Sequence, residues 1–300
     1  MENLFDLFRL DFVLRNSEYA SLLLGAFVPL VGTFLVIDRK SILALALPQV
    51  STLGVAAVIW VAAFCGLDVA SHKSSALFLV LALVGSFAAM AGALAWQFFM
   101  EKRVHAPEDA ETGAIYAVAS AAIMALASTN LIPELGLLDV LRGEILAIPN
   151  ALLLAEALGF VLIAGLLWLL ARPLHFVLYD RTLAYASGLP ANGLSILILV
   201  LIGATIALGG LCAGPLTVFA FLVLPPLAFL PFVRHMRSLY VLSSITGALC
   251  AFVGFGLSFW IESWSLPVPA AQIALLGLVW IASRCVGLVV RRPSAKRKSG

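Results

Sequence analysis

Charge is scarce in this chain: Asp, Glu, Lys and Arg make up 11% of its 300 residues, against 63% apolar residues. A water-solvated domain of useful size is excluded by that balance, because such a surface needs far more polar cover. Basic excess is also small. Eighteen Lys and Arg against sixteen Asp and Glu leave a net charge of +2, too little for a nucleic-acid footprint. Cys65, Cys212, Cys250 and Cys285 stand alone, with no pair at metal-ligand or redox spacing, and read as buried small hydrophobes. His72, His105, His175 and His235 are scattered over loops and span ends, so they read as solvated side chains and not as a shared metal site. A glycine-rich Walker loop is missing. The chain therefore has no ATP site of that kind, and energy from ATP must reach it through a partner. Nor do His, Asp and Glu cluster at one membrane face, as a polytopic membrane enzyme would require.

What the sequence has is long apolar runs. Nine of them approach the roughly twenty residues that cross a bilayer: Ala20–Ile37, Ala44–Gly66, Ala76–Met100, Thr112–Ile132, Asn150–Ala171, Gly193–Leu208, Cys212–Phe232, Leu239–Ile261 and Ala270–Val289. The fold class expected is all-α, a polytopic integral membrane protein of about nine spans, with eight also possible. Alternating the connections puts Arg39, Lys40, Lys102, Arg103, Arg172, Arg181, Arg234, Arg237, Arg291, Arg292, Lys296, Arg297 and Lys298 on one face, and only Arg9, Arg15, Lys73 and Arg142 on the other. Basic loops stay in the cytoplasm, so the N-terminus is expected outside and the C-terminus inside. Residues 1–19 mix Leu4, Phe5, Leu7, Phe8 and Phe12 with Glu2, Asp6, Arg9 and Asp11; they suit an interfacial helix or a frayed end. Residues 20–289 form the transmembrane domain, and 290–300 form a basic tail suited to anionic lipid.

Two connections are longer than the rest. On the outer side, Pro133 to Pro149 carries Glu134, Asp139, Arg142 and Glu144 among leucines, as an interfacial helix or a short re-entrant segment would. The inner one, Arg172 to Asn192, contains Asp180 as a helix N-cap, Gly188 at the left-handed position after the helix, and Pro190 as a stop. A separate cytoplasmic helix of about two turns is expected near 180–188. Within the spans, Gln49, Ser51 and Thr52 form a polar patch that suits either a substrate path or bonds between helices. Glu156 is the acidic residue placed deepest in the membrane, a costly position that points to function or to pairing. Gln97 and Gln272 are weaker candidates of the same kind.

Several stretches resemble, in order, the permease subunits of ATP-binding-cassette importers for zinc, manganese and iron. They are Arg39-Lys40-Ser41 through Gln49-Val50 with Gly54-Val55-Ala56, then Glu108-Asp109-Ala110 with Gly113, Gly143-Glu144-Ile145-Leu146, Tyr179-Asp180-Arg181-Thr182-Leu183-Ala184-Tyr185-Ala186-Ser187-Gly188, and Leu222-Val223-Leu224-Pro225. The resemblance covers about Phe12 to Val289. It implies a homodimer in a bacterial inner membrane, served by a cytoplasmic ATPase that uses ATP and Mg and by an extracytoplasmic solute-binding protein. This chain itself would bind no cofactor and catalyse nothing. By the same resemblance Asp180, Arg181, Leu183, Ala184, Tyr185 and Gly188 belong to the coupling helix that fits the ATPase. The translocation path would run past Leu45, Gln49, Ser51, Thr52 and Glu156. One departure bears on the substrate. Leu45 and Gln49 stand where the family has an aspartate and a histidine one helical turn apart, and a leucine with a neutral amide is a poor zinc ligand set. The family's aspartate between the last two spans also falls on Ser265 or Leu266. A divalent transition metal is expected by resemblance, with a chelated metal or another small solute as the alternative. A proton- or sodium-coupled secondary transporter is the competing class, and it would depend on an intramembrane ionisable group such as Glu156.

Overall fold

The computed structural model describes residues 12–38, 41–65, 76–101, 108–128, 148–260 and 267–290. Among these the regular structure is entirely helical, in eleven helices: α1 (Phe12–Ile37), α2 (Ser41–Phe64), α3 (Ala76–Glu101), α4 (Glu108–Ala127), α5 (Asn150–Leu169), α6 (Ala171–Tyr179), α7 (Arg181–Ala186), α8 (Ala191–Ala213), α9 (Pro215–Phe229), α10 (Met236–Trp260) and α11 (Val268–Val290). Six of them, α1, α2, α5, α8, α10 and α11, are long and apolar enough to cross a membrane, and shorter apolar stretches occupy Val80–Trp96 and Pro215–Phe229. The protein is thus a polytopic membrane protein. α4 opens on Glu108, Asp109 and Glu111, which lowers its apolar content below that of its neighbours.

α1 sits at the centre, packed along α10 and α9 and touching α8 and α5, while α2 joins α3, α4, α8 and α9, and α11 closes on α9 and α10. Lipid gives helices no hydrophobic reason to associate, so small residues and close backbone contact do that work. Gly25 of α1 faces Gly247 of α10 so closely that a Cβ on Gly25 would come within 2.6 Å of the Gly247 carbonyl oxygen. Gly54 of α2 and Gly85 of α3 meet in the same way. Pro29 removes one helical N–H from α1, and nearby the Ser244 hydroxyl of α10 donates to the Ala26 carbonyl at 2.5 Å. Large apolar side chains left exposed, such as Leu158 and Leu162 on α5 and Ile245 and Leu249 on α10, suit hydrocarbon or a partner and not water.

Four expectations need correction. Phe12 to Tyr19 are continuous with α1, and Asn16, Ser17 and Glu18 are buried, so the first helix begins ahead of the expected span and crosses the boundary drawn at residue 19. The Asn16 side-chain amide explains part of that burial: it donates to the Ile148 carbonyl and to Asn150 Oδ1, at 3.1 and 2.6 Å, at the start of α5. The second concerns Gly209-Gly210, where the sixth span is expected to stop at Leu208; α8 instead runs on to Ala213. Gly209 is used for close contact, since a Cβ there would come within 3.2 Å of Leu24 and 3.3 Å of Val218, while one on Gly210 would meet the Ser51 hydroxyl at an ordinary 3.5 Å. The break comes at Gly214, whose φ of 75° is followed by Pro215 at the first position of α9. Third, the connection from Arg172 holds two helices, α6 and α7, and not one. Fourth, Cys212 and Cys250 are buried, but Cys65 and Cys285 are exposed on the protomer surface, where a small apolar group tolerates lipid as well as a core. The outer connection up to Ala147 and the basic tail from Arg291 lie outside the described residues.

Candidate functional site

Asp180 ends α6 and begins α7. Its extended backbone (φ −151°, ψ 103°) breaks the first helix. Its carboxylate then accepts from the Leu183 N–H at 3.0 Å and from the Thr182 hydroxyl at 2.5 Å, the arrangement of an N-cap. These two bonds, the Thr182 one foremost, hold the Asp180 carboxyl below its ordinary range. At the other end Gly188, with φ 78°, closes a Schellman turn: Leu189 N–H donates to Ala184 C=O and Gly188 N–H to Tyr185 C=O, both at 3.0 Å. Its apolar contact is present too, since Ala184 is buried with Val177 of α6, Ala191 of α8, Leu189 and Leu194. Leu183 and Tyr185, on either flank of Ala184, are 51% and 50% exposed. α7 is therefore a capped helix with one side fastened to α6 and α8 and two apolar side chains, Leu183 and Tyr185, left open on its flanks. Arg181 forms its first turn.

The helical spacing of Leu170, Leu174, Val177 and Leu178 carries the signal for α6, which Arg172 and Pro173 disguise as a connection. Leu174 and Val177 are buried. His175, expected in solvent, is half-buried, and its Nε2 lies 2.7 Å from the Tyr240 hydroxyl of α10. Its ring stacks on Phe34 of α1, with centroids 5.8 Å apart and planes 6° from parallel. Burial pushes its pKa below the usual imidazole value.

The residues expected along a path fall into two groups. Leu45 and Gln49 lie one turn apart on α2, both half-buried. Ser51 and Thr52 have partners inside the bundle: Ser51 shares a hydrogen bond of 2.6 Å with Ser86 of α3, and Thr52 donates to the Pro48 carbonyl at 2.9 Å. The second of these covers a carbonyl beside a proline in mid-helix. Gln272 is bonded likewise, to Ser21 of α1 and the Ala251 carbonyl of α10. Gln97 has no described side chain. Glu156 is enclosed completely, at 0% exposure, with Phe160 one turn on stacked against Phe27 of α1 and Gly159 against Leu208 of α8. The Cys212 thiol of α8 adjoins the carboxyl, yet neither carboxyl oxygen has a well-formed hydrogen bond. The structure thus brings Asp180 to Gly188 together as a unit. Among the described residues, three potential metal-ligating side chains nowhere converge.

The pattern of the ABC 3 transport family matches residues 11–286. A "probable metal transport system membrane protein" of Chlamydia trachomatis serovar D is 32% identical over 102 residues, a stretch that is 33% of this chain and 23% of that protein. In fold, the chain is similar to one in the structure of PsaBC from Streptococcus pneumoniae in complex with Fab, with a TM-score of 0.73, 20% identity and 93% of each chain covered. It is also similar to a chain of an inward-facing ABC transporter assigned to the metal-chelate type, with a TM-score of 0.68, 18% identity and 97% and 92% covered.

Proposed function

Because the chain belongs to the ABC 3 transport family, we propose that it is the membrane-spanning subunit of an ATP-driven importer, with a divalent transition metal as cargo. The observation that carries this reading is α7. A six-residue helix fixed by an N-cap, a Schellman turn and an apolar anchor presents Leu183 and Tyr185 outward, and the packing of the protomer gives that exposure no reason. An ATPase docked on that face would give it one. ATP binding would close two ATPases, displace the α7 helices of two protomers, and switch the dimer between outward and inward access. The solute-binding protein would deliver cargo from the other side, in a bacterial inner membrane. Relatives bearing the words metal transport and metal-chelate support the cargo class.

Leu45 and Gln49 favour a second form of the same reading, in which the metal crosses as a chelate. A leucine and a neutral amide interact with a ligand-wrapped ion more readily than they coordinate a bare one. Glu156 is enclosed within the protomer, with none of it exposed, and this reading assigns it no part in carrying cargo. The test is Leu183→Asp with Tyr185→Asp in the chain co-expressed with its genomic neighbour ATPase. The double variant is expected to fold and enter the membrane but to lose the ATPase on purification; full retention of the ATPase would sink the assignment.

A further inference from the structure

We propose that His175 is a positioning residue that carries displacement of α7 into α1 and α10. α7 is tied to α6, because Val177 and Ala184 are buried in one apolar cluster and only Asp180 separates the two helices. Besides the apolar packing of Leu174 and Leu178, one side chain of α6 contacts two long helices at once. The His175 ring lies flat on Phe34 of α1, and its Nε2 bonds to the Tyr240 hydroxyl of α10 at 2.7 Å. Phe34 and Tyr240 also touch each other, with centroids 5.7 Å apart, so three rings from three helices form one contact. On the α8 side, α6 borders a small cleft of about 30 Å³ lined by Phe34, Asp38, Leu178 and Ser195 among others. Any movement of α6 away from α10 breaks the bond to Tyr240. α1 and α10 are the helices locked together at Gly25 and Gly247, so a pull delivered at this triad moves them as a pair.

Only a flat ring with a polar edge serves both contacts. Phenylalanine keeps the stack and loses the bond; glutamine keeps an edge donor and loses the stack. This proposal rests on the importer reading, and its test separates the two. The full complex, with ATPase and binding protein, is placed in proteoliposomes, and uptake of radioactive zinc, manganese or iron(II) is measured with ATP hydrolysis in the same vesicles. Tyr240→Phe and His175→Phe are each expected to lower metal moved per ATP by roughly two- to tenfold, the range set by one hydrogen bond. ATPase binding should persist, and the double variant should lose no more than either single one. Tyr240→Phe removes a single oxygen and keeps the ring, so it guards against simple misfolding. Unchanged metal per ATP in both single variants, or losses that multiply in the double, would overturn the role of His175. Absence of ATP-dependent uptake by the unaltered complex would instead strike the importer reading itself.

Discussion

Replacing Glu156 by leucine should make the protein more stable. The carboxyl is fully enclosed between α1, α5 and α8, and both its oxygens lack a well-formed hydrogen bond. A buried polar group left unsatisfied costs about 1–3 kcal/mol, and the adjoining Cys212 thiol is too weak a donor to offset much of that. Leucine has a similar volume, needs no partner, and would extend the apolar cluster of Leu152, Val55, Ile59 and Leu211. A gain of about 1–2 kcal/mol follows, less than the full cost because the new side chain is branched differently and does not fill the site perfectly. Glu156→Gln supplies the contrast. It keeps the shape and adds two N–H donors without supplying acceptors, so it should be no more stable than leucine. Equilibrium unfolding of the purified protein in mixed detergent micelles, followed by helical circular dichroism, reads the difference. A leucine variant less stable than the parent by about 1 kcal/mol or more would show that the carboxyl is satisfied after all. Transport adds an independent check: if Glu156 lies off the path, ATP-driven uptake should survive the leucine substitution, and its loss would place this residue in the mechanism.

Gly247→Ala should lower stability by about 1–3 kcal/mol, because the new methyl collides with the Gly25 carbonyl and Pro29, whereas Gly92→Ala meets open space inside α3 and should be neutral or stabilising by up to about 1 kcal/mol in the same unfolding measurement. Gln49→His should increase the sensitivity of transport to zinc or manganese if this turn of α2 lines the path; an unchanged metal dependence in competition uptake assays would assign Gln49 to contacts between helices. Asp180→Asn should retain ATPase binding through the same cap and Asp180→Ala should weaken it. The Asp180 cap has a depressed carboxyl pKa, so its contribution is complete above the unfolded value near 3.8 and is lost as pH falls through the lower folded value. Binding of the ATPase at neutral pH should therefore show no dependence on this group, and a pH-dependent loss there confined to the parent and absent in Asp180→Asn would contradict it.

Local chemistry is legible in the sequence where its partners lie close along the chain. Asp180, Gly188 and Pro190 announce α7 because a cap, a left-handed glycine and a stop act on their immediate neighbours. The spans are legible for a similar reason, since composition alone decides them. The setting of His175 is not, because its surroundings come from Phe34 on the first helix and Tyr240 on the tenth, both remote in the chain. Gly209-Gly210 misleads because a glycine pair reads as a break, while in a crowded bundle it permits contact with Leu24 and Ser51. Ser51 and Thr52 suit a path by composition, yet Ser86 and the Pro48 carbonyl occupy their hydroxyls. Polarity inside a span signals that a partner exists and does not say whether that partner is cargo or protein.

The most direct test is uptake of labelled zinc, manganese and iron into proteoliposomes that hold this chain with its neighbouring ATPase and binding protein, with and without ATP. An importer of the proposed kind accumulates one of these metals, free or as a chelate, only when ATP and all three components are present. Uptake that proceeds without ATP on a proton or sodium gradient would contradict it, and would make the chain a secondary transporter.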